Sequence, residues 1–247
     1  MGLKESGLRG SLRNVSVGID AIPDVIDYRW PADEGSGQTV AASVGDVDIS
    51  LDFDRWVGGN QYNGGQAVNT ESGDTFVTES RIQLTGTEFT AAVWTDGLNI
   101  TGTFASIMHC GSSDGADPTS DEIVDGWLLG FDNTNGQSIT VGYVDDQSFS
   151  RAIDDASLSV DATQDHLLWV LVGDGNNADV YVYDESELKD HVSGSASRGT
   201  QTDGFLGFNG SGGDFVEGPY DDMSAAENTA MSESEIDELH EVTGPNA

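Results

Sequence analysis

One stretch decides the fold: His166-Leu-Leu-Trp-Val-Leu-Val172, then Gly173-Asp-Gly-Asn-Asn177, then Ala178-Asp-Val-Tyr-Val-Tyr183. Leu167 to Val172 is apolar throughout and rich in β-branched and aromatic residues, which reads as a central strand covered on both faces. The Gly-Asp-Gly-Asn-Asn segment supplies turn chemistry, and Asp179 to Tyr183 alternates, so the chain returns as a hairpin partner. The same period-two pattern recurs on both sides. Val47, Ile49, Leu51 and Phe53 alternate with Asp48, Ser50 and Asp52; Phe89, Ala91 and Val93 alternate with Thr90, Ala92 and Trp94. Ile139, Val141 and Tyr143 follow a turn that carries Asn135-Gly136. Helical signals are sparse. Ser232 with Glu235 three residues later forms a capping box, Ile236, Leu239 and Val242 give one apolar stripe, and Gly244-Pro245 ends it. A shorter helical turn is expected at Ser186 to Val192. With about a dozen strands and one terminal helix, the class is all-β, two antiparallel sheets packed face to face.

Composition sets the boundaries of that reading. A chain of 247 residues, 36% of them hydrophobic, buries one substantial core. Its 44 acidic residues against nine basic ones leave a formal charge of −35. Such a surface repels phosphate backbones and anionic lipids, so neither nucleic acid nor membrane is an expected partner. At molar salt the Debye length falls to about 3 Å and the self-repulsion is screened, which points to a halophilic protein. Five Trp, nine Phe and six Tyr argue for a packed core over an acidic disordered chain. Cys110 is the only cysteine, so no disulfide forms within the chain. No stretch is apolar for the roughly 18 residues that a bilayer span needs, and the N-terminus lacks the apolar segment of a signal peptide. Synthesis in a cytoplasm is expected.

Residues 1–25 read as an arm, with the sandwich over 26–247. Lys4, Arg9 and Arg13 are three of the nine basic residues and face only Glu5 before Gly18. Leu3, Leu8, Leu12, Val15 and Val17 add apolar contacts that strengthen in high salt. The arm is read either as an unstructured tail or as an attachment segment for an assembly partner.

Several segments resemble laminin G-like domains of the concanavalin A-like superfamily, in the order that the family presents them. Tyr28-Arg-Trp-Pro-Ala-Asp-Glu-Gly-Ser-Gly is similar to the opening strand and turn; Trp56-Val-Gly-Gly, Gly64-Gly-Gln-Ala-Val and Phe89-Thr-Ala-Ala-Val-Trp94 follow. His166 to Val172 and Val180 to Asp184 resemble the paired late strands, and Gly218-Pro-Tyr-Asp-Asp-Met223 with Met231 to Ile236 resembles the close. Glu185 stands where a glycine is common, and the loop from Gly111 to Asp125 is longer and more acidic than the family pattern. The resemblance implies a jelly-roll sandwich that binds carbohydrate, protein or cell surface, sometimes with calcium, and does not imply catalysis. Asp221, Asp222 and Glu34 occupy the places from which that family type can hold Ca2+; the bland alternative is that the aspartates bond backbone amides.

Catalytic constellations are weak. Glu235-Ile-Asp237-Glu238 falls on the capped helix, and Asp52-Phe-Asp54 points to the polar side of a strand with no third partner, so neither reads as a glycosidase carboxylate pair. His109 and Cys110 are adjacent on a strand and therefore face opposite sides. Trp56 and Tyr62 flank a Gly-Gly-Asn turn and are candidates for stacking on a sugar, although the core is the stronger reading for Trp56, and Trp30, Trp94 and Trp169 read as core. Asn14, Asn99 and Asn209 lie in glycosylation sequons too common to weigh. The whole resembles laminin G-like virion proteins of tailed viruses infecting halophilic archaea. That resemblance implies a non-enzymatic homo-oligomer, carried on a capsid or tail at the virion surface, touching host surface glycans or an S-layer glycoprotein. A secreted carbohydrate-binding module and a glycoside hydrolase are the alternatives.

Overall fold

A computed structural model describes residues 22–58, 65–71, 74, 76–84, 86–101, 105–112, 125–132, 136–146, 148–198, 203–208 and 215–245. Seventeen strands and one helix are formed among them: β1 Tyr28–Trp30, β2 Thr39–Val40, β3 Ile49–Leu51, β4 Trp56–Gly58, β5 Gln66–Thr70, β6 Phe76–Thr78, β7 Glu88–Asp96, β8 Asn99–Thr101, β9 Ala105–Ser112, β10 Asp125–Phe131, β11 Ser138–Asp145, β12 Ser148–Ser157, β13 His166–Asp174, β14 Asn177–Tyr183, β15 Leu188–Ser195, β16 Phe205–Phe208, β17 Phe215–Glu227 and α1 Glu233–Thr243. They build two sheets, and every named pairing is antiparallel. One runs β15-β14-β13-β7-β17-β5-β4, with β1 and β8 also on β17; the other runs β12-β11-β10-β9-β16-β6-β3-β2.

The deciding hairpin forms with Leu168 opposite Tyr183 and Asp174 opposite Asn177, so only Gly175 and Asn176 lie between its strands. Gly175 sits at φ +60°, a conformation that glycine adopts without a Cβ penalty. β13 lies between β14 and β7 and is buried from Leu167 to Val172, which is the both-faces burial that its unbroken apolar run implies. Of its two faces, Leu167, Trp169 and Leu171 enter the core between the sheets; Leu168, Val170 and Val172 join Trp94, Ile236 and Leu239 under α1.

The four most deeply buried tryptophans show how the core accepts a polar atom. Each indole N–H finds an acceptor: Trp30 on Val47 O at 2.7 Å, Trp127 on Leu84 O at 2.7 Å, Trp169 on Thr95 Oγ1 at 2.8 Å and Trp94 on Thr243 Oγ1 at 2.9 Å. An indole buried without such a partner would cost about 1–3 kcal/mol. Trp127, stacked on Phe89 at 4.9 Å, belongs to this core as fully as the tryptophans expected there.

Two local expectations are corrected. Ser186 to Val192 does not turn as a helix; β15 occupies most of it and pairs with β14, Val192 opposite Val180. The apolar spacing Leu188 to Val192 is four residues, which suits one face of a strand as well as one face of a helix. On α1 the buried positions are Ile236, Leu239 and Thr243, not Val242, because Thr243 supplies the acceptor for Trp94. The capping box is present, with Ser232 N–H donating to Glu235 at 2.7 Å.

Candidate ligand-binding face

Each sheet has an outer face, and the two differ. That of the nine-stranded sheet is covered by α1 and by Ile22, Val25 and Ile26. Among the described residues the eight-stranded sheet carries no such helix, and strand register lays its outward residues out in rows. One row runs Phe205, Gly111, Gly126, Val144, Phe149 across β16, β9, β10, β11 and β12. The antiparallel bridge between Ile82 and Gly204 extends it by placing Arg81 opposite Phe205. The next row runs Arg151, Gly142, Leu128, His109, Gly207, Val77. Their sequence neighbours Cys110, Trp127, Tyr143 and Leu206 point inward and are fully buried, so alternation sends these residues out.

Aromatic rings terminate the first row at both ends, and Gly111, Gly126 and Val144, all three buried, lie between them. Phe149 is 42% exposed and is the exposed large hydrophobic residue among the described ones. Its ring covers Gly142, where a Cβ would fall 1.9 Å from it. At the other end the Arg81 guanidinium lies 5.4 Å from the centroid of the half-buried Phe205 ring; Arg151 lies 5.9 Å from that of Phe149. With strands about 4.8 Å apart, four steps separate the two phenylalanines by about 19 Å. His109 lies against Gly207, and its Nδ1 is sealed from solvent without a hydrogen-bond partner; burial lowers its pKa to about 4.

Two clefts of about 450 and 510 Å3 lie on the opposite side of the molecule, astride the turn between β14 and β15. Under them His166, Trp94, His240 and Tyr183 form a run of rings with centroids 4.7, 5.7 and 4.8 Å apart. His240 Nε2 reaches Asp184 O at 2.8 Å and His166 Nδ1 reaches Glu185 at 3.4 Å, so two imidazoles hold the turn. Burial lowers the His166 pKa against the opposing pull of Asp96 and Glu185. Asp184 is opposed by burial, yet hydrogen bonds from Lys189, Ser186 and Glu187 hold it well below the usual carboxylate range. With Glu185, Glu187, Asp237 and Glu241 lining them, these clefts repel anions.

The residues singled out from sequence are not assembled into one site. Trp56 is half-buried on edge strand β4, packs against the core and donates its indole N–H to Gly37 O at 3.1 Å. Tyr62, Lys4, Arg9 and Arg13 lie outside the described residues. Asp222 is buried and held by Arg29 through two hydrogen bonds of 2.7 and 2.5 Å, Asp221 accepts the Asp222 N–H at 2.8 Å, and Glu34 accepts the Ala41 N–H at 2.8 Å. These three therefore serve separate bonds, and among the described residues no group of three His, Cys, Asp or Glu side chains is placed to hold a metal ion. Asp54 accepts the Gly37 N–H at 2.8 Å. The aromatic face escaped the sequence reading, although a signal existed: once Tyr143 and Val141 point inward, a phenylalanine in the following strand at the polar parity must point out.

The geometry defines a two-sheet antiparallel β-sandwich with a short C-terminal helix and a phenylalanine at each end of one row on the outer face of its eight-stranded sheet. No family model matches the sequence, and no curated protein matches it. Solved structures share the fold. Domain 4 of AbnA, a GH43 extracellular arabinanase from Geobacillus stearothermophilus in complex with arabinotriose, superposes with a TM-score of 0.59 at 13% identity, covering 87% of this chain and 98% of that one. The botulinum neurotoxin serotype D binding domain gives 0.56 at 15% identity over 90% of this chain, and a Trypanosoma rangeli sialidase in complex with the inhibitor DANA gives 0.55 at 13% over 87%. This chain spans about half of the toxin domain's length (52%) and 32% of the sialidase's.

Proposed function

We propose that this chain is a non-enzymatic glycan-binding sandwich, and that the outer face of the eight-stranded sheet is its contact surface. The row from Phe205 to Phe149 carries the reading. The two phenylalanines stand about 19 Å apart along the row, and the exposed Phe149 and half-buried Phe205 rings suit stacking against the sugars of an extended oligosaccharide. Two neighbours in fold, an arabinanase domain in complex with arabinotriose and a neurotoxin binding domain, support it. The outward rows hold Phe, Gly, Val, Leu, His and Arg but no pair of carboxylates flanking a bond, which favours binding over hydrolysis. The acidic composition, the basic arm and the laminin G-like resemblance favour display on the virion of a tailed virus of a halophilic archaeon, with multiple copies adding avidity.

Calorimetric titration of neutral and acidic oligosaccharides in molar KCl tests the site. Phe149→Ala should weaken binding about tenfold, a loss of roughly 1.4 kcal/mol, while Trp56→Phe leaves it unchanged. Equal affinity for wild type and Phe149→Ala removes this face as the contact. The display reading requires that deletion of residues 1–18 leave a folded sandwich absent from purified particles; normal incorporation overturns it.

A further inference from the structure

We propose that Asp179 and His191, with Ser193 beside them, form a surface site for one late first-row divalent metal ion, Ni2+ or Cu2+, on the outer face of β14 and β15. The site lies on the nine-stranded sheet and is independent of the glycan contact on the other one.

Strand register builds it. Val180, Val182 and Val192 pack into the core between the sheets, so alternation sends Asp179 and Tyr181 of β14, and His191 and Ser193 of β15, to the opposite side. Asp179 stands directly opposite Ser193, and Tyr181 directly opposite His191. β15 is the end strand of its sheet. Tyr181 belongs to the buried cluster under α1, whereas His191 and Ser193 are exposed.

Three donor atoms meet at one point. His191 Nε2 donates to Asp179 Oδ1 at 3.0 Å and lies 3.3 Å from Ser193 Oγ, and the Ser193 hydroxyl donates to the same carboxylate oxygen. The imidazole is stacked on the Tyr181 ring, centroids 4.1 Å apart and planes within 8°, which fixes the direction of Nε2. With the His191 and Asp179 side chains 39% and 29% exposed, an ion reaches this point from solvent.

The separation of the donors decides the class of ion. Metal bonds of about 2.1 Å at a right angle place nitrogen and oxygen about 3.0 Å apart, whereas tetrahedral bonds place them about 3.4 Å apart. The 3.0 Å found here suits the square-planar and tetragonal nitrogen–oxygen geometry of Cu2+ and Ni2+ better than tetrahedral Zn2+. The imidazole also distinguishes this point from the chain's many carboxylates, because hard ions such as Mg2+ take oxygen donors and gain nothing from a nitrogen. The ion takes the place of the proton that Nε2 gives to Asp179, and Ser193 Oγ is a third, weaker donor. Among the described residues no third His, Cys, Asp or Glu closes the site, so its remaining positions fall to water.

The test is calorimetric titration of the full chain with NiCl2 in molar KCl, with the imidazole proton resonances followed in parallel. Wild type should take up one Ni2+ that a large excess of MgCl2 does not displace, and paramagnetic broadening should strike His191 before His109, His166 and His240. His191→Gln and Asp179→Asn should each lower the affinity about tenfold or more, while Glu238→Gln on the solvated side of α1 leaves it unchanged. Equal affinity in wild type and His191→Gln, or broadening that strikes another histidine first, overturns the site. Displacement by MgCl2 means a loose atmosphere of ions around carboxylates and overturns it as well. A loss with His191→Gln but none with Asp179→Asn leaves a lone surface imidazole, and the two-donor site falls. None of these outcomes bears on the glycan contact, which Phe149→Ala tests separately.

Discussion

A single protonation separates the environment of His109 from that of an exposed histidine. Its ring is packed against Gly207 with Nδ1 sealed, and burial lowers its pKa from the usual 6.5 to about 4. The folded state therefore favours the neutral ring, and the unfolded chain takes up the proton first. Stability contributed by this residue is complete above pH 6.5 and is lost as pH falls from there to about 4, by up to roughly 3 kcal/mol. His166, also lowered by burial, acts in the same direction. Denaturation midpoints at constant molar KCl should fall with acid over this window, and His109→Gln should flatten the slope. An unchanged slope in that variant would show that His109 is not the titrating group. Asp222 is fixed by an equally local arrangement. It holds φ +38° at the register shift of β17 where Arg29 grips its carboxylate, so the residues that resembled metal ligands hold a strained strand together by an internal ion pair.

Elements here are joined by a few contacts that alternation alone does not specify. α1 meets the nine-stranded sheet through Ile236 and Leu239 and through the bond from Trp94 to Thr243. Thr243→Val keeps the shape and removes the acceptor, so the buried indole loses its partner; a loss of about 1–3 kcal/mol is expected in chemical denaturation. A change below a few tenths would mean that α1 docks by burial alone. At the edge where β15 meets β12, a Cβ on Gly194 would lie 1.9 Å from Ala152 O, so glycine lets the two sheets approach. The strands of the central hairpin were legible because an apolar run as short as Leu167 to Val172, closed by a glycine-rich turn, fits a strand covered on both faces and is too short for a buried helix. β15 was not, since Leu188 and Val192 satisfy both periods. Phe149 was missed for a related reason: an aromatic in an edge strand looks like core until its register with Val144 is known.

At the scale of the molecule, charge and core oppose each other. Four buried tryptophans and their neighbours contribute apolar burial, while a formal charge of −35 works against any compact state. Raising KCl from about 0.1 M to above 1 M shortens the Debye length from about 10 Å to about 3 Å, so the thermal midpoint should rise steeply with salt. A flat response between those concentrations would refute charge screening as the reason for the composition. The amino-acid sequence by itself determined the all-β class, the central hairpin, the capped terminal helix and the excess of negative charge, because periodicity, turn chemistry, capping and net charge are local or additive properties. Which outward residues stand together on one face follows from the tertiary structure alone. Arg81, Phe205, Gly111, Gly126 and Phe149 share a row through pairings between distant segments, and whether an outward side chain lies under the helix depends on which sheet α1 covers.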